Sequence, residues 1–187
     1  MILKYFFIIS AFFLFTSCSS LQKLEETQSG GLQNPSSGPA WAKEELYVSE
    51  STLGASAHIE IREDQSPVQG LILADAKAQA YFKKQLSLKL AAWLVTLNKN
   101  EKITGTALQT FTDDLINNDL DAVLLIDKRF YDKKESRVNC YSLATLNAEE
   151  LKQKILEKIL KSFNDAKTLR DDLEKSWSQF LASLPMG

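Results

Sequence analysis

The stretch PVQGLILADAKAQAYFKKQLSLKLAAWLVTL, residues 67–97, decides the fold. Ser66 precedes it as a helix cap, Pro67 holds the first helical position and Gln69 the third, a pattern typical of a helix start. Its apolar residues recur every three or four positions, so they share one face of a helix. We predict a helix from Pro67 to Leu97. Its buried stripe comprises Leu71, Ala74, Ala78, Phe82, Leu86, Leu90, Trp93, Leu94 and Leu97.

Small residues border this stripe. Ala76, Ala80, Ala91 and Val95 are expected to widen the buried face. The small residues early in the stripe would let the helix lie close to a sheet, because short side chains allow two backbones to approach.

The segment before the helix alternates apolar and polar residues from Leu53 to Arg62. A period of two predicts a half-buried strand. The polar face carries His58, the only histidine of the chain, near Glu60. These two side chains are an acid–base pair in principle, but on an exposed strand face we expect both simply to be solvated.

A short helix and a hairpin are predicted after the long helix. The helix covers about Ala107 to Ile116, and a strand follows from Ala122 to Tyr131. The apolar run Val123–Ile126 predicts that both faces of this strand are covered. Asp132–Glu135 would form a polar turn, and Arg137–Leu146 the returning strand.

The C-terminal part is predicted to be helical. Asn147 is a cap, and Glu150 stands at the capping-box position. The pattern continues to Leu184 without Pro or Gly, which is too long for one globular helix, so we place a break within residues 162–165. Beyond it, an apolar stripe comprises Leu173, Trp177, Phe180, Leu181 and Leu184.

Two hypotheses follow for this stripe. It is an interaction surface if a small sheet cannot cover a third long helix, because an exposed apolar patch usually marks a binding site. Alternatively, the chain folds back near Asn164 and buries the stripe in its own domain.

The predicted fold class is α+β. A small, mostly antiparallel sheet of about three strands is covered by one long helix and a shorter one, followed by a long C-terminal helix.

The N-terminal sequence predicts an export signal. Lys4 gives a positive start, and Tyr5–Phe15 is an apolar run too short to span a membrane. Thr16, Ser17 and Cys18 follow. This ending resembles the lipobox of bacterial lipoproteins, which implies cleavage before Cys18 and acylation of its thiol. The alternatives are an ordinary signal with an accidental cysteine, or an uncleaved anchor.

Four segments are therefore expected. Residues 1–17 are the signal peptide, 18–40 a tether, 41–146 an α+β domain and 147–187 a helical extension. The tether is rich in Ser, Gln, Gly and Pro, so it should be flexible and would hold the domain about 25 Å from the membrane on average. Ser19, the residue after the lipobox cysteine, implies sorting to the outer membrane.

Composition argues against several functions. Lys and Arg total 22 against 24 Asp and Glu, without a basic block, which disfavours nucleic acid as a partner. Cys140 would be the single thiol left after lipidation, and we interpret it as a small buried hydrophobe. With one histidine, no ligand spacing for a metal and no nucleophile triad are visible. We expect no catalytic residues, no cofactor and no metal.

Several short pieces occur in a characteristic order after the lipobox cysteine. They are Pro39-Ala40-Trp41, the strand Gly54-Ala55-Ser56-Ala57, the run Ala74–Ala80, Asp127–Tyr131 and Tyr141-Ser142-Leu143. This order resembles the LPP-twenty family of small bacterial surface lipoproteins, and the resemblance covers about residues 41–146. Tyr81-Phe82 and the lone Gly54 depart from the family pattern. Some relatives are envelope proteins around the flagellar motor.

Together these features predict a non-enzymatic outer-membrane lipoprotein that binds or scaffolds envelope components, with a flagellar association implied by the resemblance. Its partners would be the membrane, through Cys18, and an envelope protein or a second copy. The alternative is a regulator that activates a periplasmic cell-wall synthase.

Overall fold

The computed structural model describes residues 38–42, 46–98, 103–163 and 166–186. Their strands and helices, in chain order, are β1 (Tyr47–Ser49), β2 (Thr52–Arg62), α1 (Pro67–Leu97), α2 (Gly105–Asp114), a π-helical turn (Leu115–Asp119), β3 (Leu125–Lys134), β4 (Arg137–Asn147), α3 (Ala148–Ser162) and α4 (Ala166–Ala182). The fold is α+β, as predicted, and the described sheet has four strands rather than about three.

The sheet is antiparallel and has the order β1-β2-β4-β3. Strands β2 and β4 pair along their whole length, from Thr52 opposite Asn147 to Arg62 opposite Arg137. Strand β1, which the sequence analysis missed, pairs with the start of β2. The C-terminal segment then closes this edge, because the Val48 N–H donates to the Pro185 carbonyl oxygen at 2.8 Å and Val48 forms a parallel bridge with Met186.

Helix α1 has the predicted ends. Its first turn differs from a Ser-capped start, because the Ser66 side chain makes no capping hydrogen bond; the Ser66 carbonyl oxygen instead accepts from the N–H groups of Gln69 and Gly70. Pro67 alone therefore provides the expected start signal, through its fixed φ and missing donor.

The predicted stripe of α1 is buried along its length, with Trp93 and Leu97 half-buried at its end. Gly70 and the alanines at positions 74 and 78 face the sheet and permit a close approach, because a Cβ on Gly70 would lie 2.5 Å from Cys140 Sγ. Of the four residues expected to widen the buried face, only Ala91 is buried. Ala76, Ala80 and Val95 are exposed, because the sheet covers a narrower arc of the helix.

The two halves of α1 have different neighbours. The first half packs on β2 and β4, and the second half contacts α2 and α4. The Trp93 ring lies 5.8 Å from Trp177 and 4.7 Å from Phe180 of α4, centroid to centroid. The Ser87 hydroxyl donates to Asp113 of α2 at 3.0 Å. The main core thus includes strand, α1 and C-terminal helix residues together.

The prediction for β3 was wrong in two respects. The strand runs from Leu125 to Lys134 and is an edge strand, mostly exposed, instead of a strand covered on both faces. The apolar run Val123–Ile126 was misleading, because its first two residues precede the strand and carry the chain from the core into it. The expected turn Asp132–Glu135 is largely strand; the reversal is at Glu135, whose φ is 56°.

The end of the chain folds as two helices with the predicted break between Ser162 and Ala166. The Asn147 side chain caps α3, accepting from the N–H groups of Glu149 and Glu150 at 3.0 and 3.1 Å. Lys158 then joins α3 to the end of α2 and the π-helical turn, because its Nζ lies 2.5 Å from carboxylates of both Asp114 and Asp119.

Leu90→Ala should lower the free energy of unfolding by about 2–5 kcal/mol, because it empties a fully buried site. Leu88, on the same helix, is 58% exposed, so Leu88→Ala is a matched control and should change it by less than about 0.5 kcal/mol. Urea unfolding of both variants measures the difference. Equal losses would show that the face assignment is wrong.

Candidate functional site

The predicted lipidation site, Cys18, lies outside the described residues, as do the signal peptide and most of the tether. The described chain starts at Gly38, beside the outer face of the sheet. A Cβ on Gly38 would lie 2.5 Å from the Tyr141 ring. Gly38, near the end of the predicted tether, therefore lies beside the Tyr141 ring.

The residues predicted to form an interaction surface on the C-terminal helix are mostly buried. The structure confirms the alternative, in which the chain folds back after α3. Helix α4 packs against Trp93 of α1 and against α3, and this buries the stripe in the domain's own core. Leu181 is half-buried and packs against that core. The fully buried members are Leu173, Trp177, Phe180 and Leu184.

A row of three rings crosses the outer face of the sheet, opposite α1. Phe130, Tyr141 and His58 are register neighbours on β3, β4 and β2. The His58 and Tyr141 rings stack at 4.6 Å, and Phe130 lies 6.0 Å from Tyr141. Partial burial raises the pKa of the Tyr141 hydroxyl, and the charge of Asp132 adds to this rise.

His58 and Glu60 do not form an acid–base pair. The His58 ring shares a hydrogen bond with Asn139 Oδ1 at 3.0 Å, and Glu60 pairs with Arg137 across the sheet. His58 is half-buried rather than solvated as predicted, because Tyr141 covers its ring. Both side chains therefore serve cross-strand pairing.

A polar cluster joins α1 to the sheet. The Asp75 carboxylate accepts from Arg129 Nε at 3.0 Å, from Arg129 Nη2 at 2.9 Å and from the Ser142 hydroxyl at 2.5 Å. Asp75 is 19% exposed in its side chain and Ser142 is fully buried. One carboxylate thus fixes α1 against both β3 and β4. Arg129 and Ser142 both donate to the Asp75 carboxylate, so the Ser142 hydroxyl is engaged in this cluster.

Cys140 is buried between β4 and the start of α1, as predicted. Burial raises the pKa of its thiol, and the charge of Asp132 adds to the rise. Because the thiolate is the reactive form, this environment disfavours reaction of the thiol.

The described residues contain no group of three or more His, Cys, Asp or Glu side chains placed to hold a metal ion. None of the helices in the described ranges is long and apolar enough to cross a membrane. A shallow hollow at the far end of β2 and β4 is lined by Arg62, Glu63, Asp64, Ser136 and Arg137. Its guanidinium groups are paired with Asp64 and Glu60.

Comparisons with protein-family models, curated proteins and solved structures found no match to this chain.

Sequence reasoning missed the β3 edge with its two exposed rings, Phe130 and Tyr131. A signal was present, because the strand carries Lys128, Lys133 and Lys134. Lysines are typical of sheet edges, where charge discourages unwanted pairing.

Asp75→Ala should lower the free energy of unfolding by about 1–3 kcal/mol, because it leaves Ser142 and Arg129 without their acceptor. Asp64→Ala removes an exposed pair with Arg62 and should cost little. In a double-mutant cycle with Arg129→Ala, we expect the two losses to be less than additive. Chemical denaturation measures the four proteins of the cycle and the Asp64→Ala control; additive losses in the cycle would contradict the coupling.

Proposed function

We propose that this chain is a lipid-anchored protein of the bacterial outer membrane that binds or scaffolds other envelope components and is not an enzyme. One observation carries the proposal: a short apolar run after Lys4 ends in Thr16-Ser17-Cys18. This is the order of signals that an exported lipoprotein needs. The resemblance to the LPP-twenty family supports the same assignment, including a place near the flagellar motor.

The physics of the anchor supports a permanent attachment. Each buried methylene contributes about 0.8 kcal/mol, and one acyl chain alone binds only marginally, whereas two or more hold firmly. Diacylglycerol on Cys18 supplies two chains. The polar stretch from Ser19 to Gly38 then separates the anchor from the domain.

The domain's chemistry supports binding rather than catalysis. His58 is engaged by Asn139 and Tyr141, Asp75 by Arg129 and Ser142, and the Cys140 thiol is buried. Each of these three potential base or nucleophile groups has a structural partner or is enclosed. Its exposed rings and charges lie along the β3 edge, where they are available for protein contacts.

Cys18→Ser should abolish acylation and membrane attachment. Cells fed an alkyne fatty acid would be probed for label on the chain, and the chain would be partitioned between detergent and aqueous phases. The matched control is Cys140→Ser, which removes the other cysteine and should keep both label and partitioning. Continued labelling of Cys18→Ser would contradict the anchor.

The same two variants test the scaffold role. After cross-linking in intact cells, envelope proteins should be captured with Cys140→Ser and lost with Cys18→Ser. Flagellar or other structural envelope proteins among the captured chains would support scaffolding. Capture of a penicillin-binding protein alone would favour an activator of cell-wall synthesis instead.

A further inference from the structure

The two edges of the sheet are not equivalent. The C-terminal residues Pro185 and Met186 cover β1. Strand β3, with 10 residues, pairs within the described chain only with β4. Its other side presents a row of backbone N–H and C=O groups. Open edges of this length are templates for another strand.

Apolar side chains flank this open edge on both faces of the sheet. Phe130, on the outer face, is 37% exposed, and Tyr131, on the α1 face, is 38% exposed. Val68 and Ile72 of α1 are 51% and 60% exposed. They lie on the β3 side of the helix, because Asp75, three residues after Ile72, binds Arg129 of β3. An added strand would cover part of this surface.

The sequence of β3 complements itself in the antiparallel direction. If Phe130 lies opposite Phe130 of a second copy, Lys128 lies opposite Asp132 of that copy, and the pair occurs twice by symmetry. Residues 128, 130 and 132 share the outer face, so opposing side chains meet. On the other face, Arg129 meets Tyr131 of the second copy, which allows a cation–π contact.

Neighbouring registers are electrostatically worse. Centring the pair on Tyr131 would place Lys128 opposite Lys134 and Arg129 opposite Lys133. Centring it on Arg129 would place that residue opposite itself. Like charges directly opposite each other destabilise a strand pair, whereas opposite charges contribute favourably. Charge therefore selects the register centred on Phe130.

Neither charged group has an ion-pair partner among the described residues. Lys128 is exposed and Asp132 is half-buried. A second copy would therefore supply each of them with an opposite charge.

We propose that two copies of this chain associate through antiparallel pairing of their β3 strands, centred on Phe130, so that one sheet continues through both copies. The dimer places α1 of both copies on the same face of that sheet, because a two-fold axis perpendicular to the sheet preserves its faces.

Charge reversal tests the pairing. The full chain, in detergent micelles, would be studied by sedimentation velocity over a range of concentrations. Lys128→Asp and Asp132→Lys should each weaken the dimer about tenfold, because both symmetric pairs become like-charged. The double variant Lys128→Asp/Asp132→Lys restores opposite charges and should return to the wild-type dissociation constant. Thermal unfolding of each variant checks that the fold is kept.

Two outcomes of this experiment would overturn the proposal. One is a wild-type chain that stays monomeric at all concentrations. The other is a double variant that dimerises no better than the single ones, which would show that the two charges do not face each other.

Disulfide trapping tests the register. Phe130→Cys would be oxidised in envelope preparations with copper phenanthroline, which accepts the two electrons released as two thiols form one disulfide and lose two protons. It should give a dimer on a non-reducing gel. Lys134→Cys is the control, because residue 134 would lie eight positions, about 26 Å, from its counterpart. No dimer at 130, or equal dimer at both positions, would refute this register.

Discussion

The close approach of α1 to strands β2 and β4 is the constraint on which the rest of the structure depends. Gly70, Ala74 and Ala78 leave room for it, and the space above Gly70 is already occupied by Cys140 Sγ. At this distance Asp75 reaches donors on both β3 and β4. The same placement extends the far half of α1 beyond the sheet, where it forms the surface on which α4 packs.

Features with a local cause could be predicted from the sequence. The ends of α1 follow from Pro67 and from the apolar period, and the start of α3 follows from the Asn147 cap. The break after Ser162 was predicted because a longer uninterrupted helix is rare in a small domain. Strands β2 and β4 showed their alternation directly, because one face of each is covered by α1.

Features that depend on the neighbours of a segment could not be predicted. Strand β1 has only three residues. It is joined to β2 through Glu50-Ser51, and β3 to β4 through Glu135-Ser136. Both glutamates adopt positive φ, which favours Gly or Asn, so the sequence does not mark the position of either turn. The β3–β4 hairpin itself was predicted, but its turn was placed too early. The position of β3 at an edge depends on the strand order, for which the lysines of β3 are only an indirect signal.

The candidate functional residues also differ in whether their role can be predicted from local sequence. Cys18 is predicted from a contiguous signal, and that prediction still awaits its test. The stripe around Trp177 was recognised as apolar, but only the position of Trp93 shows that the chain itself buries it. The self-complementary charges of Lys128 and Asp132 were present in the sequence. They suggest strand pairing only once the structure shows that β3 is the open edge of the sheet.

The most direct test of the packing of α1 on the sheet is the stability of Ala78→Leu compared with Ala80→Leu. Ala78 is fully buried against the core, whereas Ala80, two residues later, is exposed. If α1 lies as close to the sheet as described, the larger side chain at position 78 should lower the free energy of unfolding by about 1–3 kcal/mol. The same substitution at position 80 should leave it nearly unchanged. Equal stabilities of the two variants would contradict the account.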